Sequence, residues 1–232
     1  MGDGEAEMSD WFRVERSAVL AVDLQGENLP EGACTVENYQ DVLSKARDVL
    51  AACRRTGFPI IYTRHWLDPR GIDTQRYESL DELGRPLNSV AGSPGAEISP
   101  EVAPKDGDIV IDKQRFTAFY GTKLDLILNR LDIEHLIIFG VWTEACLETT
   151  VWDALWRDFR ITLVKDACGS ATETMHKTAM LDMANWLRGG MIIGAEELVK
   201  ALDGKDYRTW RFEKPFSMPY RTETIDSLYE SL

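Results

Sequence analysis

The chain has 232 residues, of which 44% are hydrophobic and 28% charged, so it can form one large domain or two small ones with a sizeable core. Asp and Glu number 39 against 26 Lys and Arg, and the resulting net charge of −13 disfavours nucleic acid and anionic membrane surfaces as partners. No apolar run approaches the roughly 20 residues of a membrane-spanning helix and no signal-peptide pattern opens the chain, so we expect a cytoplasmic protein.

Short apolar runs alternate with amphipathic segments along the chain, which is typical of βαβ units. We therefore predict one three-layer α/β/α domain, Rossmann-like, over residues 15–205, with a mostly parallel six-stranded sheet. The predicted strands are residues 17–23, 58–63, 108–111, 135–140, 160–165 and 191–193, and the predicted helices are residues 37–55, 122–131, 146–158, 173–187 and 195–202.

Three segments fall outside this regular pattern. Residues 1–14 are predicted to be an N-terminal tail. Residues 64–106 are interrupted by many prolines and glycines, and so long a loop in a compact domain indicates a specificity loop or lid. Residues 206–232 form a C-terminal extension rich in aromatic side chains, which either packs on its own domain or contacts a neighbouring subunit.

Three chemistry-bearing residues stand at the carboxyl ends of predicted strands, where open parallel sheets collect their reactive groups. Asp23 ends the first strand, Lys113 follows the third, and Cys146 opens the helix after the fourth. A helix N-terminus and a nearby lysine are expected to lower the pKa of a thiol. An aspartate between them can act as general base and then general acid, so these residues suit acyl transfer through a thioester.

The other three cysteines are weaker candidates for the nucleophile. Cys53 lies on an apolar helix face and Cys34 in a loop, and the absence of a C-x-x-C pair indicates reduced thiols. Cys168 also follows a predicted strand, the fifth, and is the rival candidate for the nucleophile.

The strings around these residues resemble the isochorismatase-like cysteine hydrolase superfamily. Val22-Asp-Leu-Gln25 is similar to its first-strand motif, Lys113-Gln-Arg-Phe-Thr-Ala-Phe119 to its lysine loop, and Gly140-Val-Trp-Thr-Glu-Ala-Cys146 to its nucleophile turn. Phe119-Tyr-Gly-Thr-Lys-Leu-Asp125 is similar to a string of the ureide and biuret hydrolases within the amidohydrolase branch.

This resemblance implies an Asp23-Lys113-Cys146 triad that cleaves a C–N bond of a small amide, ureide or carbamoyl compound through a thioester, without a cofactor. It also implies a cis Val141–Trp142 peptide bond, an oxyanion hole formed by the backbone amides of Trp142 and Cys146, and a homo-oligomer, dimeric or tetrameric.

The substrate-binding candidates are polar or aromatic residues near these motifs. They are Gln25, Asn28, Arg64, Phe119 and Trp142. Arg115 is interpreted instead as a strut that ties its loop to the sheet. A further cluster at helical spacing, Trp152, Trp156 and Trp186, is predicted to be core or subunit interface rather than a ligand platform.

Three alternatives remain open. A nicotinamidase-like hydrolase is disfavoured because such members hold a metal with an aspartate and histidines after the second strand, where this chain offers His65 alone. We therefore predict no metal site. A catalytically silent binding or assembly module would leave the triad without use. A flavin- or nucleotide-binding domain lacks the expected G-x-G-x-x-G after the first strand.

Overall fold

The structure, a computed structural model, describes residues 11–232 and has one seven-stranded sheet in the order β3-β2-β1-β4-β5-β6-β7. The first six strands are parallel, and β7 is antiparallel to β6. The predicted α/β class is confirmed. The strands are β1 (Ser17–Val22), β2 (Ile60–His65), β3 (Ile109–Lys113), β4 (His135–Val141), β5 (Arg160–Gly169), β6 (Met191–Ile193) and β7 (Trp210–Arg211).

Helices cover both faces of the sheet, and this explains the continuous apolar sequence of the central strands. Every residue of β1 and of β4 is buried, as expected for parallel strands packed between two helical layers. The helices are α1 (Tyr39–Thr56), α2 (Leu124–Arg130), α3 (Glu148–Leu155), α4 (Glu173–Trp186), α5 (Ala195–Leu202) and α6 (Ile225–Glu230).

Helix α1 shows how the sequence pattern becomes packing. Its apolar residues recur at three- and four-residue steps and are buried, from Val42 to Cys53. The helix ends at Gly57, whose φ of 91° lies in the left-handed region that glycine adopts without steric cost.

Strands β5 and β7 differ most from the sequence prediction, and β2 and β3 each run two residues past their predicted ends, to His65 and Lys113. The sheet has a seventh strand, Trp210–Arg211, which escaped prediction because two paired residues are too few to show alternation. Strand β5 continues to Gly169, so Cys168 lies inside the strand rather than after it. The polar pair Lys165-Asp166 resembles a strand end in sequence, but the chain resumes pairing with β4 past an irregularity opposite Ile138 and Gly140.

The C-terminal extension packs on its own domain. Strand β7 pairs with β6, Asn185 of α4 bonds the backbone of Met218, and Tyr229 of α6 contacts His176. Most of the predicted N-terminal tail, residues 1–10, lies outside the described residues. Oligomeric state and compartment stay predictions, and no helix within residues 11–232 combines the length and apolarity needed to cross a bilayer.

The strand order reverses direction at β1, which pairs with β2 on one side and with β4 on the other. The carboxyl ends of these strands are in register, with Val22 opposite both Thr63 and Gly140 and with His65 opposite Lys113. A crevice opens at such a switch point in open α/β sheets, and the sheet thereby brings the ends of β1, β3 and β4 to one place.

Candidate active site

The structure brings Asp23, Lys113 and Cys146 together at this crevice. Lys113 Nζ lies 2.6 Å from Asp23 Oδ2 and 3.3 Å from Cys146 Sγ. Lys113 is fully buried, and Asp23 and Cys146 are 4% and 9% exposed. The sequence prediction that these three side chains converge is therefore met by the geometry.

Close backbone packing holds the aspartate in place. Asp23 leaves β1 with a positive φ of 51°, and its Oδ1 accepts a hydrogen bond of 2.7 Å from Thr63 Oγ1 on β2. Gly140 on β4 has a φ of 132°, and a Cβ there would lie 2.0 Å from the carbonyl oxygen of Val22. A glycine is required at this position because β4 runs directly against the end of β1.

Cys146 lies in a π-helical turn, Thr143–Leu147, that precedes α3. The helix was predicted to begin at Cys146, whereas the turn begins three residues earlier and the α-helix begins at Glu148. Such π turns occur frequently at functional sites. The Val141–Trp142 peptide bond before the turn is cis, as the sequence resemblance implied.

Burial and charge pairing together set the pKa values of Cys146 and Lys113. Burial raises the pKa of the Cys146 thiol to about 12, against the opposing effect of Lys113, and the negative charge of Asp23 also favours the thiol. Burial by itself lowers the pKa of Lys113, but the attraction of Asp23 and Cys146 outweighs it and leaves the pKa above its usual value. The expectation of a lowered thiol pKa is thus wrong for the resting site, because desolvation exceeds the effect of the cation.

Charge balance indicates how the thiol can ionise. An ionised Asp23, a protonated Lys113 and a neutral Cys146 together carry no net charge. Loss of the thiol proton to solvent would leave an uncompensated negative charge in a buried place, which is costly. Transfer of that proton to Asp23 keeps the sum at zero, so the arrangement favours an internal proton transfer over a permanent thiolate.

A cleft of about 480 Å³ opens over Cys146. Gln25 and Asn28 lie in its wall, but their amides are engaged: Gln25 donates to the carbonyls of His65 and Ala96, and Asn28 to those of Asp23 and Gln25. Both predicted substrate binders therefore hold the cleft in shape. Trp142 also lines the wall, and its Nε1 donates to Asn28 Oδ1 at 3.0 Å.

Arg64 does not reach the cleft, contrary to its prediction as a substrate binder. It pairs with Glu97 and Asp112 and stacks on Trp66. Strand β2 continues to His65, so successive side chains alternate between the two faces of the sheet. Thr63 and His65 point towards the site and Arg64 points away.

Phe119 is likewise a core residue rather than a substrate contact. It is 3% exposed and stacks on Phe159 at 6.2 Å. Hydrogen bonds from the preceding residues to α3, from Thr117 Oγ1 to Asp153 and from the Ala118 amide to Thr150, turn this segment away from the cleft. The aromatic residue of the lysine loop that does line the cleft is Phe116.

The long loop between β2 and β3 supplies cleft residues that sequence reasoning missed. These are Gln75, Arg76, Tyr77, Glu78, Asn88 and Ser89, joined by Glu27, Cys34 and His65 from elsewhere in the chain. Arg115 ties this loop down, since its Nη1 donates to the Asp73 carbonyl at 2.8 Å, which agrees with its interpretation as a strut. The proline and glycine content had indicated a functional loop, but no pattern showed which residues face inward.

A larger groove of about 820 Å³ lies elsewhere, lined by Trp152, Trp156 and Trp186 together with Phe159 and Arg160. Trp156 is 78% exposed and Trp186 39% exposed, so these two are not core residues. The groove contains none of the triad residues, and the smaller cleft over Cys146 is the candidate active site. Within the part of the chain that the structure describes, no three His, Cys, Asp or Glu side chains are arranged to hold a metal ion.

Comparison with known proteins identifies the family of this chain. The family model described as the isochorismatase domain matches residues 17–197. An Arabidopsis thaliana protein described as a probable inactive nicotinamidase is 30% identical over 177 residues, which are 75% of this chain and 90% of that protein. N-carbamoylsarcosine amidase of Arthrobacter sp. is 26% identical over 195 residues, 81% of this chain and 72% of the amidase.

A solved structure shows the same fold. The crystal structure of a cysteine hydrolase from Pseudomonas syringae pv. phaseolicola 1448A superposes with a TM-score of 0.75 at 24% identity, covering 83% of this chain and 95% of that one. Since the family model spans most of the chain, from β1 into α5, the chain belongs to the isochorismatase family.

Proposed function

We propose that the protein is a cysteine amidohydrolase that cleaves a C–N bond of a small amide, ureide or carbamoyl compound. The family and an amidase among its relatives support the hydrolase class that acts on linear amides. The observation that carries the proposal is the contact of Lys113 Nζ with both Asp23 and Cys146 beneath the cleft. A thiol with an ammonium in contact and a carboxylate paired to that ammonium has the nucleophile, cation and base that acyl transfer to sulfur uses.

In the acylation step the Cys146 thiol gives its proton to Asp23, and the sulfur attacks the substrate carbonyl carbon. The tetrahedral intermediate then collapses as Asp23 returns the proton to the leaving nitrogen and the C–N bond breaks. Ammonia or an amine departs and a thioester remains on Cys146. Lys113 keeps its charge throughout and stabilises whichever of its two partners is negative.

In the deacylation step water attacks the thioester carbonyl while Asp23 takes one of its protons. Collapse of the second tetrahedral intermediate breaks the C–S bond, and Asp23 protonates the departing sulfur. The product acid leaves and Cys146 is a thiol again, so no proton or electron is left over.

The negative oxygen of each tetrahedral intermediate needs donors that are already in position. The backbone amides of Trp142 and Cys146 are proposed for this role, because these residues flank the first turn of the helical segment beneath the cleft. The first N–H groups of a helix have no partner within it and are free to meet an anion.

The test is release of ammonia or amine from a panel of small amides, ureides and carbamoyl compounds, with nicotinamide included. We expect Cys146→Ala to lose about a thousandfold or more in kcat, because the nucleophile is removed. Cys34→Ala is the matched control, since Cys34 is a half-buried thiol in the wall of the same cleft. Turnover that survives Cys146→Ala but is lost in Cys34→Ala or Cys168→Ala would refute the assignment.

A second candidate function is a catalytically silent member that binds the same small molecules without turnover. The observation in its favour is the relative described as a probable inactive nicotinamidase. Against it, all three proposed catalytic side chains are present here, and Lys113 contacts the other two. Calorimetry together with the ammonia assay separates the two functions. A silent member binds panel compounds and releases no product, and Cys146→Ala does not change its binding.

A further inference from the structure

A second carboxylate lies in the cleft, and the mechanism above does not use it. Glu27 is the middle residue of a short 3-10 turn, Gly26–Asn28, and is only 8% exposed. Its side chain lines the cleft over Cys146. Among the described residues, none forms an ion pair with it.

Tight packing fixes the position of Glu27. A Cβ at Gly32 would lie 2.0 Å from the Glu27 carbonyl oxygen, and one at Gly95 would lie 3.3 Å from the Glu27 Cβ. Ser89 binds both carboxylate oxygens, through its amide at 2.7 Å and its hydroxyl at 2.6 Å. The carboxylate is therefore held in one place before any ligand arrives.

The charged and titratable groups nearby do not neutralise Glu27. Lys113 is taken up by Asp23, and Arg76 is an exposed residue of the wall that makes no ion pair with Glu27. Burial, together with Lys113, lowers the pKa of His65, so this imidazole is neutral near pH 7. Glu78 is a further acidic residue of the same cleft, and Asp23 is paired with Lys113. Burial raises the pKa of Glu27 itself, and the proximity of Asp23 adds to the effect.

Anchoring the loop at Ser89 does not by itself require a charge. In a neutral glutamine, Oε1 can accept from the Ser89 amide and Nε2 can donate to Ser89 Oγ, whose own proton then turns to Asn88 Oδ1 at 3.1 Å. Burial of an unpaired carboxylate costs free energy that a neutral side chain would avoid. A ligand that brings its own positive charge or N–H donors would recover this cost on binding.

We propose that Glu27 is a specificity residue that receives a cationic or N–H-rich group of the substrate. Its carboxylate disfavours substrates that carry a carboxylate in place of that group. The inference rests on the proposed amidohydrolase function, and it narrows the substrate class to neutral or positively charged ureido and amide compounds. Ser89 acts as a positioning residue, since it holds the Glu27 carboxylate and does not replace its charge.

The experiment uses three probes with the same ureido head and similar length: ureidoacetate, ureidoacetamide and (2-aminoethyl)urea, which are negative, neutral and positive at pH 7. Binding is measured by calorimetry and turnover by ammonia release. For the wild type we expect the positive probe to bind about tenfold or more tightly than the negative one, with the neutral probe between them. Glu27→Gln should reduce this ratio to about twofold or less, because the charge is lost while the acceptor for Ser89 remains.

Ser89→Ala is the matched control, because it removes the hydroxyl anchor and keeps the carboxylate, so affinity falls for all three probes while their order persists. A wild type that does not bind the positive probe better than the negative one overturns the proposal, and so does an unchanged ratio in folded Glu27→Gln. The expected order of binding without any ammonia release would refute the proposed hydrolysis and leave the role of Glu27 intact. Ammonia release that depends on Cys146, with no difference in binding among the three probes, would support the proposed hydrolysis and refute the role of Glu27.

Discussion

The protein has two buried cysteines on the carboxyl side of its sheet, and each lines a cavity. Cys146 lies beneath the cleft of about 480 Å³, and Cys168 lines a smaller one of about 220 Å³ beside Asp166, His176 and Tyr229. Burial raises the pKa of both thiols to about 12. Exposure and desolvation therefore do not distinguish them.

The groups in contact with the thiols of Cys146 and Cys168 distinguish these two residues. Cys146 contacts the ammonium of Lys113, which in turn pairs with Asp23, so a cation and a carboxylate both lie beside this thiol. Cys168 donates to the backbone carbonyl of Val164 at 3.2 Å, and Asp166 two residues away accepts from the amide of Ala195 at the start of α5. The hydrogen-bond partners of Cys168 are backbone groups, of Val164 and Gly140, so this thiol has no side-chain base in contact to take its proton. Position at the carboxyl edge of the sheet does not by itself make a thiol reactive.

The largest expected effect is that of replacing Asp23, beside Cys146, in comparison with Asp166, beside Cys168. Asp23→Asn should lower kcat by about 10² to 10⁴-fold, because the base that takes the thiol proton is lost while the shape of the side chain is kept. Turnover at saturating substrate, measured by ammonia release, checks this.

Asp166→Asn is the matched control for that substitution. An asparagine oxygen can still accept from the Ala195 amide, so kcat should stay within about threefold of the wild type. Equal losses in both variants would mean that the contrast between the two regions is mistaken.

The second prediction concerns pH and the region of Cys168. His176 contacts Thr143 Oγ1 at 2.8 Å and Tyr229 at 3.0 Å, and the Thr143 hydroxyl donates to Gly169. Nδ1 then donates to Thr143 Oγ1, and in the neutral imidazole Nε2 accepts from the Tyr229 hydroxyl. Burial lowers the pKa of His176 to about 4.

The unfolded chain binds this proton near pH 6.5 and the folded one only near pH 4, so stability is lost as pH falls through that window. Between pH 7 and 5 the loss from His176 is about 2 kcal/mol. His176→Asn keeps a donor towards Thr143 without a titrating group, so urea unfolding at the two pH values should show a smaller difference than in the wild type. Identical pH dependence in both proteins would count against this account.

The smallest expected effect is that of Cys168→Ala. Loss of one buried sulfur and its weak hydrogen bond should lower the free energy of unfolding by about 1 kcal/mol and change kcat by less than about twofold. Urea unfolding and the ammonia assay measure both quantities. A large loss of turnover without loss of stability would restore Cys168 as a nucleophile.

Local sequence predicted most of the fold and the central part of the site. Apolar runs such as Ser17–Val22 identify strands buried on both faces, and the order of Asp23, Lys113 and Cys146 at strand ends predicts their convergence. Parallel strands connected by helices place their carboxyl ends on one edge, so these contacts follow from topology. Strand ends are harder to predict, and the extension of β2 by two residues turned Arg64 away from the cleft.

The sequence by itself determined the α/β class and the family resemblance and singled out Asp23, Lys113 and Cys146, because these depend on periodicity and on short motifs. Only the tertiary structure decided which thiol has a base beside it, that Phe119 belongs to the core, and that Glu27 meets Ser89, 62 residues further along the chain. The physical reason is that hydrophobic periodicity encodes which face of an element is buried. Contacts across a long irregular loop depend on packing of the whole domain, and local sequence carries no pattern for them.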